Sequence, residues 1–188
     1  MYDLIVIGAG PAGSSAAIFA AKAGKHTLVI DNEQSMTKAA WVENHYGAPD
    51  TAGPDLLETG KKQAEKHGAE RIMATVIKLE ELENGRMKVY LEDRDFEAEY
   101  VLLTTGNNPQ LPEAAGIEME EGTEPRIKKI VKTDASGRTS MKRVWAAGTI
   151  AGVSVHTIIT SGDGARTAVN ILSEMNGKRY VDHDVLKK

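Results

Sequence analysis

One stretch limits the fold of this chain more than any other: "MYDLIVIGAGPAGSSAAIFAAKAGKHTLVID". Residues 2–7 read as a buried strand, β-branched and nearly all apolar, with Asp3 the exception. The strand runs directly into Gly8, Gly10 and Gly13. A helix is predicted over 11–23, with Pro11 fitting its first turn and Gly24 its end. A second strand over 27–30 ends at Asp31. Strand, helix and strand in so short a span make a βαβ unit, hence a parallel sheet with a right-handed crossover. The expected fold class is α/β and Rossmann-like, a central parallel sheet flanked by helices.

Each glycine of "GAGPAG" has a physical task. Gly8 permits the tight turn out of the strand. Gly10 lets the backbone approach a pyrophosphate, and Gly13 lets the helix pack on the sheet. Free N–H groups and the positive end of the helix dipole then face the phosphates. An acidic residue about 20 positions on should accept a ribose hydroxyl, and Asp31 stands there. An ADP moiety is the ligand this arrangement suits. The competing reading is a glycine turn that only packs, with Asp31 a solvated strand end.

The rest of the chain continues the α/β pattern. Residues 32–54 read as irregular, and 55–67 as an amphipathic helix closed by Gly68. A strand is expected over 71–79, and 86–91 with 96–100 should form a hairpin or small β-meander. "YVLLTTG" reads as a further buried strand. Residues 107–125 are polar and rich in turn formers and read as a connector, with strands expected over 127–131 and in "RVWAAG". A helix is expected over 157–175, with Ile158, Gly162, Ala165, Val169 and Leu172 on one face. "LLTTG" and "VWAAG" both stop a buried strand on glycine, which suits close approach of a ligand. Two such ends suggest a ligand longer than one ADP half.

Composition removes several alternatives. The chain of 188 residues has a net charge of −4, which gives no footprint for nucleic acid. It has no cysteine, so it forms no disulfide, thiolate nucleophile or Cys-ligated metal centre of its own. No apolar run is long enough to span a bilayer, and the first strand leaves no room for a signal peptide. The expectation is a cytoplasmic protein, with no membrane and no metal site.

"DLIVIGAGPAG", "LLTTGNNPQLP" and "VWAAGTIAG" followed by "TIITSGDGARTAV" together resemble the FAD-binding domain of thioredoxin reductases, in the two-dinucleotide-binding flavoprotein group. "VENHYGAPDTAGPDLLE" is similar to the segment that passes beside the flavin there. The resemblance implies bound FAD, a β-meander laid over the parallel sheet, and a homodimer. Position by position, it implies that Gly8, Gly10, Pro11, Ala12 and Gly13 hold the pyrophosphate and Asp31 the adenosine ribose. It puts Asn44 near the isoalloxazine, Thr105 and Gly106 along the cofactor path, and Gly148 and Thr149 near the ribityl chain. It points the helix start at His156, Thr157 and Ile158 toward the flavin pyrimidine edge, where a helix N-terminus stabilises the negative charge of a reduced flavin.

The departures from that family are as informative. Such reductases insert an NADPH-binding domain between the "TTG" region and the last FAD segment; here only the connector stands there. The expectation is therefore a single FAD-binding domain over 1–188. The CxxC is missing, so the thiol–disulfide relay cannot run in this chain. Thr149 replaces the usual acid after "AAG", and "NEQSMTKAA" replaces the usual glycine-glutamine segment.

His45, Tyr46 and His156 are the candidate groups beside the flavin, where a histidine could carry a proton, and Trp41 is the candidate cover; simple packing is the competing reading for all four. Asp163 and Arg166 are expected on the solvent side of the last helix. His26, His67 and His183 are expected at the surface, as is the run Lys128, Lys129 and Lys132. The leading functional reading is an FAD-dependent oxidoreductase that takes electrons from a diffusing NAD(P)H, a redox protein partner or a small substrate. A non-catalytic FAD-binding module or sensor is the second reading. The third is a small NAD-dependent dehydrogenase using only the first motif.

Overall fold

The computed structural model describes residues 1–182 and 184–186. β1 (Tyr2–Ile7), α1 (Pro11–Lys22) and β2 (Thr27–Asp31) form the expected βαβ unit. A 3-10 turn at Met36–Ala39 leads to a two-residue hairpin, β3 (Trp41–Val42) with β4 (Thr51–Ala52), and then to α2 (Gly53–Lys66). β5 (Glu70–Met73), β6 (Lys78–Glu81), β7 (Met87–Tyr90) and β8 (Asp95–Leu103) follow, then the short α3 (Gln110–Ala114). β9 (Met119–Glu121) pairs antiparallel with β10 (Lys129–Val131). β11 (Val144–Ala146) and α4 (Thr157–Asn176) complete the order.

The parallel core runs β5–β2–β1–β8–β11. β8 serves two partners on its far edge. Its second half pairs in parallel with β11, and its first half pairs antiparallel with β7, which pairs antiparallel with β6. The side-chain period of two then sorts the core into two faces. Val29, Val6, Leu102 and Trp145 are aligned across four strands and point to one face. Ile30, Ile7, Leu103 and Ala146 form the next row and point to the other. Each fully buried large side chain of this kind contributes about 1.5–3 kcal/mol.

The first face is covered by α1 and α4. Ala16, Ala17, Ala20 and Ala21 let α1 lie close, and Ala168 and Ile171 do the same for α4. The second face is covered by the meander, whose Leu79, Met87 and Val89 join the cluster of Ile5, Ile7, Leu28 and Ile30. Helices, sheet and meander are the layers that the fold class and the resemblance imply.

Several elements differ from the sequence expectation. The strand expected over 71–79 is two strands, β5 and β6, because the chain leaves the parallel edge at Ala74 and crosses to the meander. The two strands expected around Tyr100 are one, β8. Its first half is mostly half-buried, with Ala98 alone buried, while its last four residues are all buried, and that change imitates a boundary. Residues 32–54 contain the 3-10 turn and the β3–β4 hairpin, and the connector 107–125 carries α3 and β9. On α4 the buried stripe is Thr157, Thr160, Asp163, Gly164, Thr167, Ala168, Ile171 and Leu172. Of the expected face only Leu172 is in it, because this helix meets α1 through small and hydroxyl side chains and leaves Ile158 exposed. His26 and His67 are exposed as expected, as are Lys128, Lys129 and Lys132; His183 lies outside the described residues.

Candidate cofactor site

All five parallel strands end at one cleft of about 970 Å³. Its walls come from Ile7–Ala12 after β1, Ile30–Asn32 at β2, Ala74–Val76 after β5, Thr104–Asn108 after β8 and Ala147–Thr149 after β11. That is where ligands collect in open parallel sheets. The remaining wall is formed by Gln34–Thr37 at one side, and by Glu124–Ile127 with Val155–Thr157 at another.

The glycine turn is fixed by steric contact. Gly8 has φ +105°, and a Cβ there would lie 2.5 Å from the Thr104 carbonyl oxygen. A Cβ on Gly13 would lie 1.9 Å from the Gly8 carbonyl oxygen, so only glycine lets α1 start this close to β1. The buried Thr104 hydroxyl lies 2.9 Å from the carbonyl oxygens of both Ile7 and Gly8 and ties the ends of β1 and β8 together. No side chain caps α1, and Pro11 has no N–H. The first intrahelical bond is from Ser14 to Gly10, which leaves the Ala12 and Gly13 N–H groups without a partner in the helix. An anion in the cleft is the partner such groups suit.

Asp31 ends β2 with only 4% of its surface exposed. Its Oδ1 accepts the Ala9 N–H at 3.1 Å, and its Oδ2 is 3.2 Å from Lys61 Nζ. Across the cleft, the Gly148 N–H donates to Asp163 Oδ2 at 2.7 Å. Asp163 is buried, which corrects its expected place on the solvent side of α4. It is buried because its carboxylate holds the turn after β11 through the Gly148 N–H. Arg166, exposed as expected, donates to Asp163 Oδ1 from Nε and Nη2 at 3.1 and 2.8 Å. Thr149 is buried at the cleft wall and brings a hydroxyl without charge.

At the start of α4, His156 Nδ1 is 2.8 Å from Ser154 Oγ, which is 3.3 Å from Glu124 Oε2. His45 Nδ1 is 3.0 Å from Thr157 Oγ1. Burial pushes the His45 imidazole below its ordinary value of 6.5, favouring the neutral ring.

Gly8, Gly10, Pro11, Ala12, Asp31, Thr105, Gly106, Gly148, Thr149, His156 and Thr157 therefore line one cleft. Gly13 lies behind it and packs. Asn44, His45 and Ile158 are not in its walls. Tyr46 is 93% exposed and Trp41 64% exposed, so neither covers the cleft in this structure. Among the described residues no cluster of His, Cys, Asp or Glu is arranged to hold a metal, and no helix is long and apolar enough to cross a membrane. Sequence reasoning missed Lys61, Asp163, Thr104 and Glu124. Lys61 had a signal: the buried positions of α2 are Gly53, Leu57, Lys61 and Ala64, so a lysine stands in an apolar stripe.

Fold and site define a class, the Rossmann-like domains that hold a dinucleotide at the carboxyl edge of a parallel sheet. The residues suit FAD. A glycine-turn anion site, a buried carboxylate for a ribose, and a wall that continues to the β11 end match the parts of such a molecule. Residues 2–123 and 37–170 match the family described as pyridine nucleotide-disulphide oxidoreductase, and the chain belongs to that family. Thioredoxin reductase from Peptoclostridium acidaminophilum is 33% identical over 121 residues, which is 62% of this chain and 38% of that protein. Thioredoxin reductase from Aquifex aeolicus is 36% identical over 111 residues, 56% of this chain and 34% of that one. The chain thus spans under two-fifths of these relatives' length. Among solved structures, a thioredoxin reductase from Gloeobacter violaceus has the same fold, with TM-score 0.83 at 17% identity over 98% of this chain and 99% of that one. The atypical thioredoxin reductase TRi from Desulfovibrio vulgaris Hildenborough gives TM-score 0.82 at 17% identity, covering 94% and 99%. This chain is an FAD-binding domain homologous to thioredoxin reductase, and it has no cysteine for a CxxC.

Proposed function

We propose that this domain is the flavin-holding part of an oxidoreductase whose electron donor and acceptor lie outside the chain. One observation carries the reading: a single cleft joins the α1 N-terminus, Asp31 and the ends of β8 and β11. In that reading Gly8, Gly10, Pro11 and Ala12 bind the pyrophosphate, with Gly13 bringing α1 into place. Asp31 takes the adenosine ribose. Thr105, Gly106, Gly148 and Thr149 follow the chain toward the isoalloxazine, and His156, Thr157 and Ile158 present the start of α4 to it, with Asn44 nearby. FAD supplies two-electron chemistry when bound. The protein's share is to bind it, orient it, and hold a proton at His156 or His45. Neutral His45, pushed down by burial, is in the form that accepts a proton.

We further propose that residues 107–125 stand where relatives insert an NADPH-binding domain, so that 1–188 works as one FAD-binding unit. With no cysteine, the chain carries no thiol relay, and in this reading electrons enter from NAD(P)H, a reduced protein partner or a small substrate oxidised directly. A homodimer in the cytoplasm is the assembly and setting we assign. Exposed Trp41, Ile158 and Ile159 offer apolar surface for the pairing.

Anaerobic titration tests the reading. The purified protein should be yellow, release FAD, and lose its visible flavin absorbance when NADH, NADPH or a dithiol-reduced partner is added. A flavin that no donor reduces would instead make the domain a non-catalytic FAD-binding module. A colourless protein holding a nicotinamide would overturn the FAD assignment.

A further inference from the structure

We propose that Lys61 is a positioning residue for recognition of the adenosine ribose. From α2 it fixes Asp31 so that the carboxylate keeps an acceptor for each ribose hydroxyl. The inference rests on the reading of Asp31 as the ribose acceptor.

Lys61 is almost enclosed, with 8% of its side chain exposed, and lysines are rarely buried unless paired. Its partners are Asp31 Oδ2 at 3.2 Å and Glu33 Oε1 at 3.4 Å. Glu33 is turned toward it by a left-handed backbone, φ +60°, which few glutamates adopt. The Lys61 charge, ahead of Lys38, holds the Glu33 carboxyl below the usual carboxylate value. Two carboxylates therefore converge on one ammonium. Lys61 does not line the cleft; it sits behind Asp31 against Ala9, Ser14, Val29 and Ala64. It can reach a ligand only through Asp31.

An ionised carboxylate offers about four acceptor positions. The Ala9 N–H uses one on Oδ1, and the Lys61 ammonium stands 3.2 Å from Oδ2 as its ion partner. Each oxygen keeps a position for one of the two hydroxyls of a ribose. Asp31 is a cleft residue, so these positions serve the cleft side. Without Lys61 the carboxylate could turn about its side-chain torsions and present one oxygen instead of two.

The test is ligand discrimination, measured on the full chain by quenching of flavin fluorescence. FAD and an FAD analogue lacking the adenosine 2′-hydroxyl are titrated in parallel. The wild-type chain should prefer FAD by about tenfold to hundredfold, the worth of one hydrogen bond to a charged acceptor. In Lys61→Met the preference should fall below about threefold, and Lys61→Arg should restore it. The ratio compares two ligands in one protein, so a general loss of stability cancels. Lys61→Gln serves if Lys61→Met does not fold. An unchanged preference in the Met or Gln variant overturns the role of Lys61. A wild-type chain that binds FAD without any preference overturns the Asp31 reading itself.

Discussion

Removing the Asp163 carboxylate should loosen the β11 end of the cleft by an amount the structure allows to be worked out. Gly148 is buried, and its N–H donates to Asp163 Oδ2 at 2.7 Å. A hydrogen bond to a charged acceptor is worth about 1.5–3 kcal/mol, and a buried N–H left alone recovers none of it from water. The second Asp163 oxygen pairs with Arg166, whose side chain is 44% exposed. Solvent screening limits that pair to about 1 kcal/mol or less. Asp163→Ala should therefore cost about 2–4 kcal/mol. For a chain of this size each kcal/mol lowers Tm by about 2–4 °C, so a fall of about 5–15 °C is expected.

Two further substitutions separate the contributions. Arg166→Ala removes only the screened pair and a bond to the Ala135 carbonyl, and should lower Tm by about 4 °C or less. Asp163→Asn keeps an acceptor for the Gly148 N–H but not the charge, and should fall between the two. Thermal melts by circular dichroism, run with and without excess FAD, read all three. The stabilisation that FAD adds should shrink in Asp163→Ala, because Gly148 and Thr149 line the cleft. An Asp163→Ala melt within 2 °C of Arg166→Ala would refute the argument that the buried N–H, and not the surface pair, is what Asp163 supports.

Two neighbouring glycines of α4 should respond in opposite directions. A Cβ on Gly164 would lie 2.0 Å from the Ala12 carbonyl oxygen, so Gly164→Ala should force α1 and α4 apart, cost about 1–3 kcal/mol and weaken FAD binding. Nothing lies within 4 Å of a Cβ on Gly162, so Gly162→Ala should stabilise the chain by up to about 1 kcal/mol of helix propensity and raise Tm. Thr149→Asp, which introduces the acid the resemblance places after "AAG", should lower the melting temperature without cofactor and tighten FAD by about tenfold, read by fluorescence titration. The exposed His26–Glu70 pair gives a pH signature. A hydrogen bond to Glu70 raises the His26 value, and that bond with the one from Tyr2 lowers the Glu70 value. The stability the pair adds should be full between the unfolded values of 4.5 and 6.5. It should fade above, as pH rises through the raised His26 value, and below, as pH falls through the lowered Glu70 value. Denaturant titrations of wild type and Glu70→Gln across pH 3–8 (about half-unit steps) should differ most inside that window, by under about 1 kcal/mol.

What was legible in the sequence follows from how each feature is encoded. The β1 strand, the glycine turn and Asp31 sit within one local unit, and each residue type there answers a local steric or dipolar demand. Gly13 must be glycine because of a carbonyl five residues back. The rest of the site depends on contacts between distant segments. Asp163 meets Gly148, and Thr104 meets Ile7 across 97 positions. No local period announces such pairs. The errors on α4 have the same root. Ile158 is expected inward because it is apolar, yet α4 meets the Ala12 backbone through Gly164, and the large apolar side chains it buries are further along, at Ile171 and Leu172. β8 was divided because burial changes along one strand, and burial is decided by which neighbour, β7 or β11, lies beside each half. The charged residues that sit in buried stripes, Lys61 in α2 and Asp163 in α4, are where local pattern and tertiary demand conflict. A buried charge is tolerated only when something distant pairs with it. Such positions therefore mark the long-range contacts that periodicity cannot show, and here both of them point at the ends of the same cleft.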